Sequence, residues 1–184
     1  MSEAMLFVIK TAWYFLPMPF ANMMPVIFRR WCKWLAKPID FNKKYLGEPL
    51  FGRNKTWRGF FVATLTGTLI FVIQKHAYVS WEFFRDISLF DYSTQTVWLG
   101  TLMGLGAMVG DLIKSYFKRR VKRKPGASWL PFDLFDYVIG GLLVSFVIYI
   151  PPYGIMVSAI LLGTALEIGA VSVAKAIGIR RGYW

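Results

Sequence analysis

Cysteine and histidine are almost missing from this chain: 184 residues contain one of each, Cys32 and His76. A single cysteine excludes an intramolecular disulfide and every paired-cysteine metal motif, so Cys32 is read as inert. His76 follows an apolar run and is assigned interfacial packing rather than catalysis. Acids are scarce too, ten against 22 lysines and arginines, which leaves a net charge of +12. No polar linker, internal repeat or low-complexity stretch divides the sequence, which reads as one domain over residues 1–184. The N-terminus lacks a short apolar run with a small-residue cleavage site and reads as a first membrane segment. The glycine pattern of a phosphate-binding P-loop is also missing.

What is present is apolar. Hydrophobic residues make up 56% of the chain and mean hydropathy is +0.45. That places it among integral membrane proteins rather than soluble domains. Eight Trp, nine Tyr and sixteen Phe suit interfacial aromatic belts. Five apolar segments follow one another, near residues 3–28, 59–74, 96–117, 134–150 and 154–177. The first is interrupted by Pro17, Pro19 and Pro25, and Pro151-Pro152 forms a turn between the last two. The expected fold is all-α and polytopic.

Basic residues set the expected topology. Arg29, Arg30, Lys33, Lys37, Lys43, Lys44, Arg53, Lys55 and Arg58 crowd the loop 29–58. Lys118, Arg119, Arg120, Lys122, Arg123 and Lys124 crowd the loop 118–133, and Arg180 and Arg181 close the chain. The intervening loops are balanced or uncharged. The positive-inside rule then predicts five transmembrane helices, the N-terminus outside and the C-terminus cytoplasmic, in a multi-pass cell-membrane protein. Chemistry would face the cytoplasm between the two basic loops. Positive charge confined to such loops selects anionic lipid heads or phosphate substrates, not nucleic acid.

The third segment ends in "MVGDLIKSYFKRR". At helical spacing Asp111, Lys114, Ser115 and Lys118 share one face. Asp111 and Lys114 neutralising each other is the plain explanation, but ionisable groups in a membrane segment are costly and mark function by default. "LPFDLFDY" adds Asp133 and Asp136, three apart, where the fourth segment starts. Asp133 alone could cap a helix. The pair on one helix face would repel without a cation between them, and oxygen ligands beside phosphate chemistry favour Mg²⁺. Six basic residues in the seven positions 118–124 suit a polyphosphate clamp. "FGRNKTWRGF" offers Lys55, Thr56 and Arg58 at a helix start as an opposing anion site. Gly100 and Gly104, Gly106 and Gly110, and Gly163 with Ala170 and Ala174 are close-packing positions. They serve contacts within one chain or in a homodimer equally well. Glu167 is the remaining acid inside a segment, with a supporting role.

"GDLIKSYFKRR…LPFDLFD" resembles the signature of CTP-dependent phosphatidate cytidylyltransferases, through Gly110, Asp111, Ser115, Lys118, Arg119, Asp133 and Asp136. Bacterial-type members carry Gly-His-Gly-Gly before the paired aspartates, and this chain does not. Its size and "NKTWRG" at 54–59 are closer to the archaeal branch, the CDP-archaeol synthases. The resemblance implies transfer of a cytidylyl group from CTP to an isoprenoid ether lipid phosphate, with release of pyrophosphate. It implies Mg²⁺, one ion or two, on Asp111, Asp133 and Asp136. Lys118, Arg119, Arg120 and Lys124 would hold triphosphate or lipid phosphate, Lys114 and Ser115 would assist, and Lys55, Thr56 and Arg58 would complete the site.

Alternatives are a phosphatidate cytidylyltransferase acting on diacyl lipid and a small multispan transporter. A transporter would place Asp111, Lys114 and Glu167 along a path near mid-bilayer, whereas most acids here gather at one rim among arginines. A CDP-alcohol phosphatidyltransferase would need several aspartates with Asp-Gly and Ala-Arg elements, which the sequence lacks.

Overall fold

A computed structural model describes residues 2–123 and 129–176. Lys124 and the tail bearing Arg180 and Arg181 lie outside the described residues. The first apolar segment is two helices, α1 (Glu3–Phe15) and α2 (Pro17–Ile27). The Ser2 hydroxyl caps α1 by accepting the Met5 N–H at 3.3 Å. Pro17, at the first turn of α2, has no N–H to continue the α1 ladder, and the pair bends by 47°. Two 3₁₀ turns and a hairpin follow. β1 (Lys44–Tyr45) pairs antiparallel with β2 (Glu48–Pro49), Lys44 opposite Pro49 and Tyr45 opposite Glu48. Leu46 (φ 53°) and Gly47 (φ 81°) form its two-residue turn, both in the left-handed region such turns require.

Three longer helices and two short ones complete the chain: α3 (Trp57–Ser80), α4 (Glu82–Asp86), α5 (Trp98–Arg120), α6 (Asp136–Ser145) and α7 (Tyr153–Ala176). The second segment thus extends beyond the expected 59–74 at both ends, and the third starts two residues after the expected 96 and runs three past 117. The fourth falls short. Of the expected 134–150 only ten residues are α-helix, about 15 Å of rise against a hydrocarbon thickness near 30 Å. After Ser145 the chain turns instead. The N–H groups of Ile148 and Tyr149 both return to the Ser145 carbonyl, at 2.9 and 3.0 Å. The Tyr149 ring then packs edge-on to Phe90.

Among the described residues two helices, α3 and the stretch Tyr153–Val173 of α7, are long and apolar enough to cross a membrane. The bent pair α1–α2 makes a third if it counts as one crossing. In both α3 and α7 most of the apolar surface faces outward, as Leu65, Leu69, Ile73, Leu161 and Val173 do. That is the arrangement expected where lipid, not protein, covers the helix.

α5 lies at the centre, against α3, α6 and α2. Small residues permit this. A Cβ built on Gly67 of α3 would lie 2.8 Å from Gly104 Cα, and one on Gly140 of α6 would lie 2.7 Å from Gly110 Cα. Neither helix pair could keep its separation with a larger residue there. Tyr14, Phe15, Met18, Phe71, Leu99, Met103, Tyr137 and Val138 fill the remaining core. Tyr137 reaches α7, donating its hydroxyl to the Gly163 carbonyl at 2.9 Å.

Candidate active site

The C-terminal turns of α5 assemble six charged side chains drawn from four parts of the chain. The Lys114 ammonium stands in the middle. It lies 3.1 Å from Asp111, 3.0 Å from Asp133 and 2.8 Å from Asp136. Lys118 donates to both oxygens of Asp133, at 2.9 and 3.0 Å, and Lys55 pairs with Asp111. Three carboxylates therefore meet three ammonium groups, and the cluster is neutral as it stands.

Each position has a local cause. One helical turn carries Asp111 to Lys114, and the next brings Lys118 onto the same face. Lys55 ends the loop just before α3, where Thr56 caps the helix by accepting the Gly59 N–H at 3.3 Å. Asp136 begins α6, where a carboxylate is favoured by the helix dipole. Its place beside Asp111 follows from the contact of Gly110 with the Asp136 backbone.

Asp133 and Asp136 do not share one helix face, as their spacing suggested. Asp133 sits in a separate 3₁₀ turn, Phe132–Leu134, and the intervening Phe135 is not helical. Nor does Asp133 cap α6. Its carboxylate accepts the Trp129 N–H upstream, at 2.5 Å. Asp133 and Lys118 are both buried, 7% and 8% exposed, and a buried charge requires such partners. Burial alone would raise the Asp133 carboxyl. The Lys114 charge and the hydrogen bonds from Lys118 and Trp129 override this and hold it below the ordinary carboxylate range. On the acid side the pairing is lost as pH falls through the lowered Asp133 value.

Other residues named from the sequence point elsewhere. The Ser115 hydroxyl donates to the Asp111 carbonyl one turn back, at 2.7 Å. Arg58 is bound to the Arg29 carbonyl and Arg119 to the Arg123 carbonyl. Arg120 donates to the carbonyls of Tyr45 and Pro49, at 2.5 and 2.8 Å. Its guanidinium lies 5.2 and 5.1 Å from the ring centres of Tyr45 and Tyr116. It thus ties the hairpin to α5. No group of three carboxylate, imidazole or thiol side chains encloses an open metal position among the described residues. Lys114 fills the point on which the three acids converge.

Sequence reasoning passed over Asp40, a buried acid in the loop before α3. Its signal was faint: a single Asp in a loop, whose short side chain can accept the backbone N–H two residues on, as in an Asx-turn.

A family model described as CarS-like, CDP-archaeol synthase, matches residues 4–184. The CDP-archaeol synthase of Pyrococcus furiosus is 36% identical over 148 residues, 80% of each chain. That of Pyrococcus horikoshii is 30% identical over 177 residues, 96% of each chain. A solved structure, described as an intramembrane enzyme for archaeal membrane lipids biosynthesis, has the same fold. Its TM-score is 0.63 at 23% identity, covering 86% of this chain and 90% of that one. A match over nearly the whole length, with relatives at 30% and 36% identity, establishes that the chain belongs to the CarS-like CDP-archaeol synthase family.

Proposed function

We propose that the acid–lysine cluster at the end of α5 is where this chain transfers a cytidylyl group from CTP to 2,3-bis-O-(geranylgeranyl)-sn-glycerol 1-phosphate. The products are CDP-archaeol and pyrophosphate. The observation that carries the reading is the convergence of three carboxylates and three lysines at the end of one apolar helix.

An oxygen of the lipid phosphate attacks the α-phosphorus of CTP. The bond from that phosphorus to the bridging oxygen of the β-phosphate breaks, and pyrophosphate leaves with the electron pair. A phosphate monoester is already largely ionised at neutral pH, so no strong general base is needed. The barrier lies in bringing two anions together and in charge on the leaving group. Lys55, Lys114 and Lys118 are held ready by carboxylates and can exchange those partners for phosphate oxygens. Arg58, Arg119 and Arg120 supply a positive rim that attracts CTP, Lys124 adds its charge to the same basic run in the sequence, and Thr56 and Ser115 order the backbone beneath the rim.

Asp111, Asp133 and Asp136 would hold Mg²⁺, one ion or two. The support is their chemistry: hard oxygen donors from all three already face a single cation, the Lys114 ammonium, and the metal would bind there only as Lys114 leaves that point for a phosphate oxygen. Mg²⁺ bound there would neutralise phosphate charge and make the α-phosphorus more electrophilic.

The same reading makes this a five-crossing protein with the N-terminus outside and the cluster at the cytoplasmic face, supported by the alternation of basic and neutral loops. α1–α2 would be one bent crossing, and α6 with its flanking turns the short fourth. A homodimer could use the outward side of α7, where Gly169 meets no neighbour. The glycines of α5 are already occupied by α3 and α6.

The test uses purified protein in detergent with radiolabelled CTP, Mg²⁺ and either the geranylgeranyl ether phosphate or phosphatidic acid. Label should enter the lipid phase only with Mg²⁺ and faster with the ether lipid. Equal rates would favour the diacyl alternative, and no label in folded protein would overturn the reading.

A further inference from the structure

Asp40 touches no member of the cluster, yet it is among the most buried charged groups in the chain, 5% exposed. One carboxylate oxygen accepts the Asn42 N–H at 2.9 Å. The other accepts the N–H groups of Phe51 and Gly52, at 3.0 and 3.2 Å. A buried carboxylate with three backbone donors is well satisfied. It also draws the far strand of the loop back onto its start.

The consequence falls on Lys55. Gly52, held by Asp40, has φ +102°, a conformation that suits glycine, and its carbonyl accepts the Lys55 N–H at 3.0 Å. The Lys55 carbonyl accepts the N–H of Ile39, next to Asp40, at 2.8 Å. Pro38 and Thr56 form a bridge beside it, and the Trp57 N–H reaches the Lys37 carbonyl at 3.0 Å. Both backbone groups of Lys55 are thus fixed through neighbours of Asp40 or groups bound to it. A lysine side chain loses much rotamer freedom when ordered. A fixed backbone limits that loss to the side chain itself.

We propose that Asp40 is a positioning residue for the nucleotidyl-transfer site, holding loop 38–56 in the conformation that delivers the Lys55 ammonium to Asp111. The inference rests on the reading of the cluster as that site.

The experiment compares Asp40→Ala, Lys55→Ala and the double variant in the full chain, by CTP kinetics and by limited trypsin digestion. Asp40→Ala should lower kcat/KM at least about tenfold, comparably to Lys55→Ala, and the double variant should be no worse than Lys55→Ala. Trypsin should cut faster at Lys43, Lys44 and Arg53, while helical circular dichroism and its melting stay as in the wild type. Asp40→Asn keeps one oxygen acceptor, should restore part of the activity, and carries the comparison if the alanine variant does not fold. Losses that multiply in the double variant, full activity in Asp40→Ala, or reduced activity without faster cleavage would each overturn the assignment. Full activity in Lys55→Ala would overturn the reading of the site and this inference with it. An impaired Lys55→Ala with multiplying losses would overturn the inference alone.

Discussion

The two halves of α5 solve different problems. From Trp98 to Gly110 the helix carries no charge, and its glycines meet the backbones of α3 and α6 directly. From Asp111 to Arg120 it carries one acid and four basic residues, and its neighbours are carboxylates and loop carbonyls. The uncharged half sets the geometry that the charged half uses. Gly110 rests against the Asp136 backbone, so Asp111 and Asp136 are neighbours because two helices touch, not because two long side chains reach. In lipid, where apolar surface gives helices little reason to associate, such close contact is a main source of cohesion. Here the same contact fixes the spacing of the acids.

The largest effect is expected in the charged half. Asp136→Asn should cut kcat on the order of 100-fold or more, as loss of a group that organises transition-state charge does, with helical content unchanged. Wild-type turnover in that variant would separate the acids from catalysis. Next comes the seam. Gly140→Val places a branched side chain where no Cβ fits, and overpacking of that kind costs about 1–3 kcal/mol or more. Melting should fall and activity should fall with it. A variant that melts early but turns over CTP normally would break the proposed link between the halves.

Lys118→Ala should be milder. Asp133 would keep Lys114 at 3.0 Å and the Trp129 N–H, so its charge is not abandoned. The expected change is roughly a tenfold rise in the KM for CTP with a smaller change in kcat. A loss confined to kcat would instead assign Lys118 to the transition state.

How much of this was legible in the sequence follows the same division. Helical periodicity placed Asp111, Lys114 and Lys118 on one stripe, because that is a property of one helix. Glycine spacing marked the seam for the same reason. Periodicity could not say that Lys114 would stand among three acids, since two of them arrive from another element. It implied one face for Asp133 and Asp136, and the non-helical Phe135 between them breaks that assumption. Arg119 and Arg120 looked like phosphate ligands by charge alone, but each is bound to carbonyls of a loop whose path only tertiary packing decides. Hydropathy marked residues 134–150 as one continuous segment because an apolar run scores the same whether it is helix or turn. Asp40 went unnoticed because its partners are backbone N–H groups, which every sequence has.

The smallest effect sharpens the comparison most cleanly. Within the seam the hydroxyls of Thr68 and Thr101 lie 2.8 Å apart, a polar contact between α3 and α5 in the uncharged half. Thr101→Val keeps the branched shape and removes that contact. The Thr68 hydroxyl still has the Thr64 carbonyl, at 2.9 Å, so no donor is stranded. Interhelical hydrogen bonds in membranes average only about 0.6 kcal/mol, and a fall in melting of that size is expected. Turnover and KM should not move, because the glycine contacts that set the distance from Asp111 to Asp136 are untouched. If Thr101→Val did alter kcat, the seam would act as one coupled unit rather than as a spacer defined by Gly106, Gly110 and Gly140.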